Sequence, residues 1–313
     1  MTAEAAIHAA IRDEAGRPSG APRRKQTFRR LALWPATILL VFLTVVPMLN
    51  LFAMALAEIT ISRGNSEWAF RPLANFGLLL DDALFVTATL NTLLFVILSV
   101  SVELLLGIGL ALLAASVRRG KGLVRTVTIL PILVSPVAIG AMWRLMYSYD
   151  FGLVNQILEA LGLAKVGWLS ETSIALLSVV VVDIWHWTPL VFLILFAGVE
   201  GLPREVVEAA RIDGANRRQL LRHIVLPLLA PAITVAFIFR SIAAFKVFDQ
   251  IVLLTGGGPG TSTEVVSLRL YKVYFEQNAM GYGALLSVVT VAMILVFLLT
   301  ARYGMRWVEA RNV

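Results

Sequence analysis

Residues 200–227, EGLPREVVEAARIDGANRRQLLRHIVLP, form a long charged interruption between two strongly apolar runs. Their pattern is that of two short helices with a break between them. Pro203 suits a first helical position, where its missing N–H costs nothing. Val206, Ala209 and Ala210 share a face at i, i+3, i+4 spacing, and Glu205 and Glu208 occupy the early turns, where the helix dipole favours acids. Gly214 can take the left-handed conformation that ends a helix. In the second helix Leu220, Leu221, Ile224 and Val225 lie on one side, with Arg217, Arg218 and Arg222 turned away from them. Pro227 then opens the next apolar run. A charged helical pair set between two such runs implies a partner that docks on it.

Working outward, the rest of the chain is apolar. Of its 313 residues 58% are hydrophobic and 15% charged. With a mean hydropathy of +0.82, this is too apolar for a soluble domain of that size. Six runs exceed the roughly 18 apolar residues of a membrane-crossing helix, at about 31–57, 84–116, 124–147, 173–199, 228–254 and 280–303. The expected fold is therefore an all-α polytopic membrane protein with six transmembrane helices. Residues 1–30 form a basic tail, in which 5–11 could make a short surface helix; 31–304 form the transmembrane domain and 305–313 a second tail. The first span has a basic flank and a small-residue series at Ala53, Ala55 and Ala57 that imitates a cleavage site. Its apolar run is far longer than the roughly 7–15 residues of a signal core, so it reads as an uncleaved signal anchor. Pro131 and Pro136 predict a kinked or locally broken third span.

Six spans put both termini on one side, and charge identifies it. Nineteen basic residues lie on the side of the termini and five opposite, with Arg144, Arg240 and Lys246 inside spans. Positive residues favour the cytoplasmic side, so both termini and residues 200–227 are placed there. No cysteine is present, which excludes disulfides and thiol chemistry. No basic surface interleaved with aromatics suggests nucleic acid, and the surroundings of the spans are lipid.

The chain lacks a phosphate-binding loop. Near Lys121, Ala115 stands where its first glycine belongs and Gly122 where a Ser or Thr belongs. Work derived from ATP must then come from a partner. Gly256, Gly257, Gly258 and Pro259, with Gly260, read as an extracytoplasmic turn that permits close backbone approach. Charged residues inside spans usually face a protein interior or an aqueous path. Asp183 and His186 are spaced i, i+3, beside Trp185 and Trp187. The fifth span carries Arg240, Ala244, Phe245, Lys246 and Asp249, and the i, i+3 spacing of Lys246 and Asp249 allows an internal ion pair. These residues either line a solute path or form buried pairs that fix helix register. A proton relay through Asp183, His186, Arg240 and Asp249, as in an ion-coupled carrier, is a third reading. A glycerol-phosphate-like anion would suit Arg240 and Lys246.

Glu208, Ala209 and Ala210, then three residues, Gly214, nine residues, and Ile224, Leu226 and Pro227 resemble the EAA loop of binding-protein-dependent ABC importer permeases. Further stretches resemble the sugar-type branch of that family, similar to the maltose and trehalose systems: PLANFGLLL (72–80), LNTLLF (90–95), GLVRTVTILP (122–131), FGLVNQIL (151–158) and FKVFDQIVLLTGGGPGTST (245–263). The chain has no large extracytoplasmic insertion like that of the maltose subunit. The resemblance covers about residues 30–305 and implies a type I ABC importer permease fold in a bacterial inner membrane. It also implies a second permease subunit, two cytoplasmic ATPase subunits that hold ATP and Mg, and an extracytoplasmic solute-binding protein. No cofactor, metal or enzymatic activity is implied in this chain. By the same resemblance Glu208, Ala209, Ala210 and Gly214 would dock on the ATPase, with Arg211 or Asp213 pairing across the contact. Gly256 to Pro259 would meet the binding protein.

Overall fold

The computed structural model describes residues 23–62, 65–117 and 120–311. Residues 5–11, whose sequence allows a short surface helix, lie outside them. Helix α1 (Arg23–Ala55) contains Pro35 and Pro47 and includes an apolar span at Leu33–Ala55.

Among the described residues the remaining elements are helices except for one antiparallel hairpin, β1 (Ala57–Ser62) with β2 (Asn65–Phe70), in which Ala57 pairs with Phe70 and Ile59 with Trp68. Helix α2 (Pro72–Asp81) leads into the long α3 (Ala83–Ser116). The third apolar run is not one helix. Helix α4 (Lys121–Ile129) passes through a 3-10 turn (Leu130–Leu133) into α5 (Pro136–Met146), and the two halves meet at 92°. Pro131 removes a backbone donor and Pro136 begins the new helix, so the break falls where the sequence cannot continue an α ladder. Helices α6 (Leu153–Ala160) and α7 (Ala175–Glu200) follow. Then come α8 (Arg204–Ile212) and the short α9 (Arg217–Leu220), which runs through a π turn (Leu221–Val225) into α10 (Leu226–Phe245). Two outer pieces, α11 (Asp249–Leu254) and α12 (Val266–Tyr271), precede a second π turn (Lys272–Glu276) and α13 (Met280–Arg311).

Among the described residues five helices are long and apolar enough to cross a membrane, and the bent α4–α5 pair makes a sixth crossing. The fifth span departs from expectation at its outer end. It stops at Phe245 rather than continuing to 254, because the chain leaves the helix at Lys246 and restarts at Asp249.

Helix α3 packs chiefly on α7, and α10 packs on both. Glycine permits these approaches. A Cβ on Gly107 of α3 would lie 2.6 Å from Val191 Cγ1 of α7, and one on Gly198 of α7 would lie 2.8 Å from Leu229 Cδ1 of α10. Lipid tails are as apolar as leucine, so van der Waals fit of this kind and interhelical hydrogen bonds drive association. Phe95, Val96, Val179, Val182 and Phe245 fill one part of the core, and Ala111, Phe192, Leu195 and Leu229 another.

Candidate solute path and coupling surface

Three buried charges lie at the centre of the helix packing. The Arg240 side chain is 1% exposed and donates from Nε to Glu103 Oε2, from Nη2 to Glu103 Oε1 (2.7 Å), and from Nη2 to Asp183 Oδ2. Glu103 and Asp183 are 0% and 2% exposed. Helices α3, α7 and α10 each contribute one member. The guanidinium carbon also lies 5.2 Å from the Trp187 ring centroid. Asp183 and Arg240 are candidates that the sequence identified. Glu103 is not among them, and its partner Arg240 is 137 positions away along the chain.

Asp183 forms part of the floor of a small cavity, about 100 Å3, walled by Pro136, His186, Trp187, Lys246, Phe248, Asp249 and Gln250. His186 Nδ1 and Gln250 Nε2 are 3.2 Å apart, and both side chains are buried. Gln250 Oε1 has no hydrogen-bond partner among the described residues. A buried amide oxygen left unpaired costs about 1–3 kcal/mol, so it is primed to accept from a donor that enters the cavity. Of the sequence candidates, Asp183, His186, Trp187, Lys246 and Asp249 line this one cavity.

Other candidates do not converge there. Trp185 lies on the other side of α7 and packs edge-on against Trp143, with centroids 5.7 Å apart. Ala244 and Phe245 are buried in the helix core, Phe245 against Phe297. Lys246 and Asp249 do not form the expected ion pair. The helix ends between them, so the i, i+3 geometry is never built, and both side chains are exposed. Arg240 has two carboxylates on it and is sealed from the cavity, which removes it as the anion-binding group of the glycerol-phosphate reading. The relay reading also loses its chain of groups, since Asp183 is tied to Arg240, His186 to Gln250, and Asp249 stands exposed.

The charged stretch forms the helical pair expected of it. Pro203 sits at the position just before α8 rather than at its first turn (φ −62°, ψ 115°). Gly214 has φ +84°. The N–H of Ala215 donates to Ala210 O at 2.9 Å and that of Gly214 to Arg211 O at 3.1 Å. This is a Schellman closure, and it satisfies carbonyls that would otherwise be orphaned. Asn216 and Gln219 then cap α9 reciprocally, each bond 2.9 Å. Helix α8 has no buried residue, and Ile212 is 86% exposed. Ile224 and Leu226 are half-buried where the stretch joins the bundle, and Pro227 is exposed within the continuous helix 217–245.

At the opposite end, Gly256, Gly257 and Gly260 have φ of +62°, +95° and +60°. A Cβ on Gly257 would lie 2.9 Å from Leu268 Cδ2, so this position requires glycine for space as well as conformation. Thr255 and Thr263 hydroxyls lie 2.7 Å apart, and Thr263 donates to Gly258 O at 2.8 Å. Asn91 of α3 donates to Thr261 O and Glu264 O, at 3.0 and 2.9 Å. Gly258 and Pro259 border an open groove of about 760 Å3 with Arg144, Tyr149, Phe151 and Trp168. At the start of α3, Asp82 caps Phe85 N (2.9 Å) and accepts from Arg269 (2.8 Å) and Tyr282 (2.7 Å). Burial pushes the Asp82 carboxyl up, but the Tyr282 hydroxyl, Arg269 and the Phe85 N–H outweigh it and hold it below its ordinary value.

Residues 104–312 match the family model described as binding-protein-dependent transport system inner membrane component. The chain is 37% identical, over 83% of its length and 87% of the relative's, to the trehalose/maltose transport system permease protein MalF of Thermococcus litoralis. It is 33% identical to the sulfoquinovosyl glycerol transport system permease protein SmoG of Agrobacterium fabrum, over 84% and 85% of the two chains. A solved bacterial ABC transporter involved in import of the acidic polysaccharide alginate superposes with a TM-score of 0.76 and 25% identity, over 90% of this chain and 96% of that one.

Proposed function

We infer the role of this chain from the family to which it belongs, the inner membrane components of binding-protein-dependent transport systems: it is a permease subunit of an ABC importer that takes saccharides across the membrane. Its partners are a second permease, two cytoplasmic ATPase subunits that bind ATP and Mg, and an extracytoplasmic binding protein. One observation carries the coupling assignment. Helix α8 is capped at its C-terminal end and buries no side chain, yet it presents Val206 and Ile212 to solvent beside Glu208 and Arg211. A nine-residue helix is marginal by itself in water, and docking into the ATPase supplies the missing cover. Ala209 and Ala210 allow close approach, Glu208, Arg211 and Asp213 offer charge, and Gly214 makes the turn.

ATP binding closes the ATPase pair and draws the two coupling helices together, and the spans turn from inward-facing to outward-facing. Such a cycle requires contacts that differ between the two states. Solute released by the binding protein at the glycine turn, Gly256 to Pro259, then meets the cavity of Asp183, His186, Trp187 and Gln250. Trp187 offers a ring face to a sugar ring, and the other three exchange hydrogen bonds with hydroxyls. At about 100 Å3 the cavity is smaller than the roughly 300–1,000 Å3 of a complete small-molecule site, so the second permease supplies the facing wall.

The test is uptake by the full complex in proteoliposomes. It is expected to require ATP, to survive a protonophore, and to be lost in Glu208→Lys. Uptake by this chain alone, driven by a proton gradient, overturns the assignment.

A further inference from the structure

Arg240 is a single cation held by two carboxylates, and only one of those, Asp183, reaches the cavity. Glu103 takes the guanidinium side-on, through both Nε and Nη2, from a helix that contributes nothing to the cavity wall. Register alone does not require it. The Arg240–Asp183 bond already joins α10 to α7, and α3 is fitted to α7 at Gly107. Truncating one partner of a buried charge pair leaves the other charge uncompensated. Without Glu103 the cluster of one cation and two carboxylates would lose one negative charge, and the field behind Trp187 and Asp183 would repel an anion less.

We propose that Glu103 is a specificity-determining residue of the solute path: as the second carboxylate on Arg240 it gives the cluster behind the cavity a net negative charge, which disfavours anionic solutes and leaves Asp183 as an acceptor for solute hydroxyls. Lys246 and Asp249 face the cavity with opposite charges, and His186 is bonded to Gln250, so neither set tips the balance towards anions. The pathway then selects uncharged polyhydroxylated solutes over their phosphate esters. This proposal rests on the reading of the cavity as the solute site.

The experiment measures equilibrium binding by calorimetry to the nucleotide-free complex of this chain with its second permease and ATPases. The probes are trehalose and trehalose 6-phosphate, which differ by one phosphate. Wild type is expected to prefer trehalose. Glu103→Gln should narrow the affinity ratio about tenfold by gaining affinity for the phosphate ester, since the cluster behind the cavity then carries one negative charge fewer. Glu103→Asp keeps the charge and should hold the ratio within about threefold of wild type. The double variant E103Q/R240Q, in which Asp183 keeps its negative charge without a cation, should reject the ester again. An unchanged ratio in E103Q, or ester binding by E103D equal to that expected of E103Q, overturns the proposal. Trp187→Ala and Gln250→Ala separate the two claims. If they weaken trehalose binding while E103Q leaves the ratio alone, only the role of Glu103 falls. If they leave it unchanged, or if wild type binds no trehalose, the cavity reading falls and this inference with it.

Discussion

Arg240 shows how far one side chain can commit a membrane protein. Its charge is stable inside the bundle because two carboxylates accept its hydrogen bonds, and the cluster is strong only while complete. Arg240→Met should destabilise the protein by about 3–5 kcal/mol, because Glu103 and Asp183 would be left buried without a cation. Arg240→Lys should recover only part of that, since an ammonium lacks the planar fork. Thermal unfolding of the purified variants checks both. Asp82 makes a milder case at the outer face. Its carboxyl is held below the ordinary carboxylate range, so its contribution is fully present above about pH 4 and is lost as pH falls through the lower folded value. Asp82→Asn should lower stability at neutral pH and remove that acid-side component. Melting curves of both proteins between pH 3 and 7 provide the comparison.

At the level of elements, local rules settled some features and tertiary distance settled others. The Schellman closure at Gly214 was legible because glycine after an amphipathic turn has one common use. Gly214→Val places a β-branched residue at φ +84°, a cost of about 1–2 kcal/mol. The expected outcome is normal insertion in the membrane, with solute-stimulated ATP hydrolysis sharply reduced. The hairpin was less legible. Residues 57–70 carry the alternation Ile59, Ile61 and the aromatics Trp68 and Phe70, but two interfacial aromatics fit a loop equally well. The end of α10 at Phe245 was not legible, because Lys246 to Leu254 is apolar enough to continue a span and nothing local marks the stop. Glu103 was the residue most concealed. A single acid inside a 34-residue apolar helix has no partner at helical spacing, and its cation lies three spans away in sequence. Such a pair becomes visible only once the helices are packed.

For the whole molecule, hydropathy and charge bias sufficed for the six crossings, and a motif of seven fixed positions sufficed for the family. Neither says how the spans move. The Glu103–Arg240–Asp183 cluster fastens α3, α7 and α10 at one interior point, while glycine contacts at Gly107 and Gly198 bring their backbones close. Paired spin labels on α3 and α7 should therefore report the same separation with and without ATP, whereas labels on α8 and its counterpart in the second permease should approach each other. In mechanical terms the cluster acts as a rivet through a three-helix lever. If α8 is the coupling helix proposed above, a push on it would reach the outer glycine turn through this lever, because Asn91 binds that turn to the same α3 that carries Glu103. The delay between a stroke on one face of the membrane and its arrival at the other is then set by the swing of the lever, not by relaxation within it.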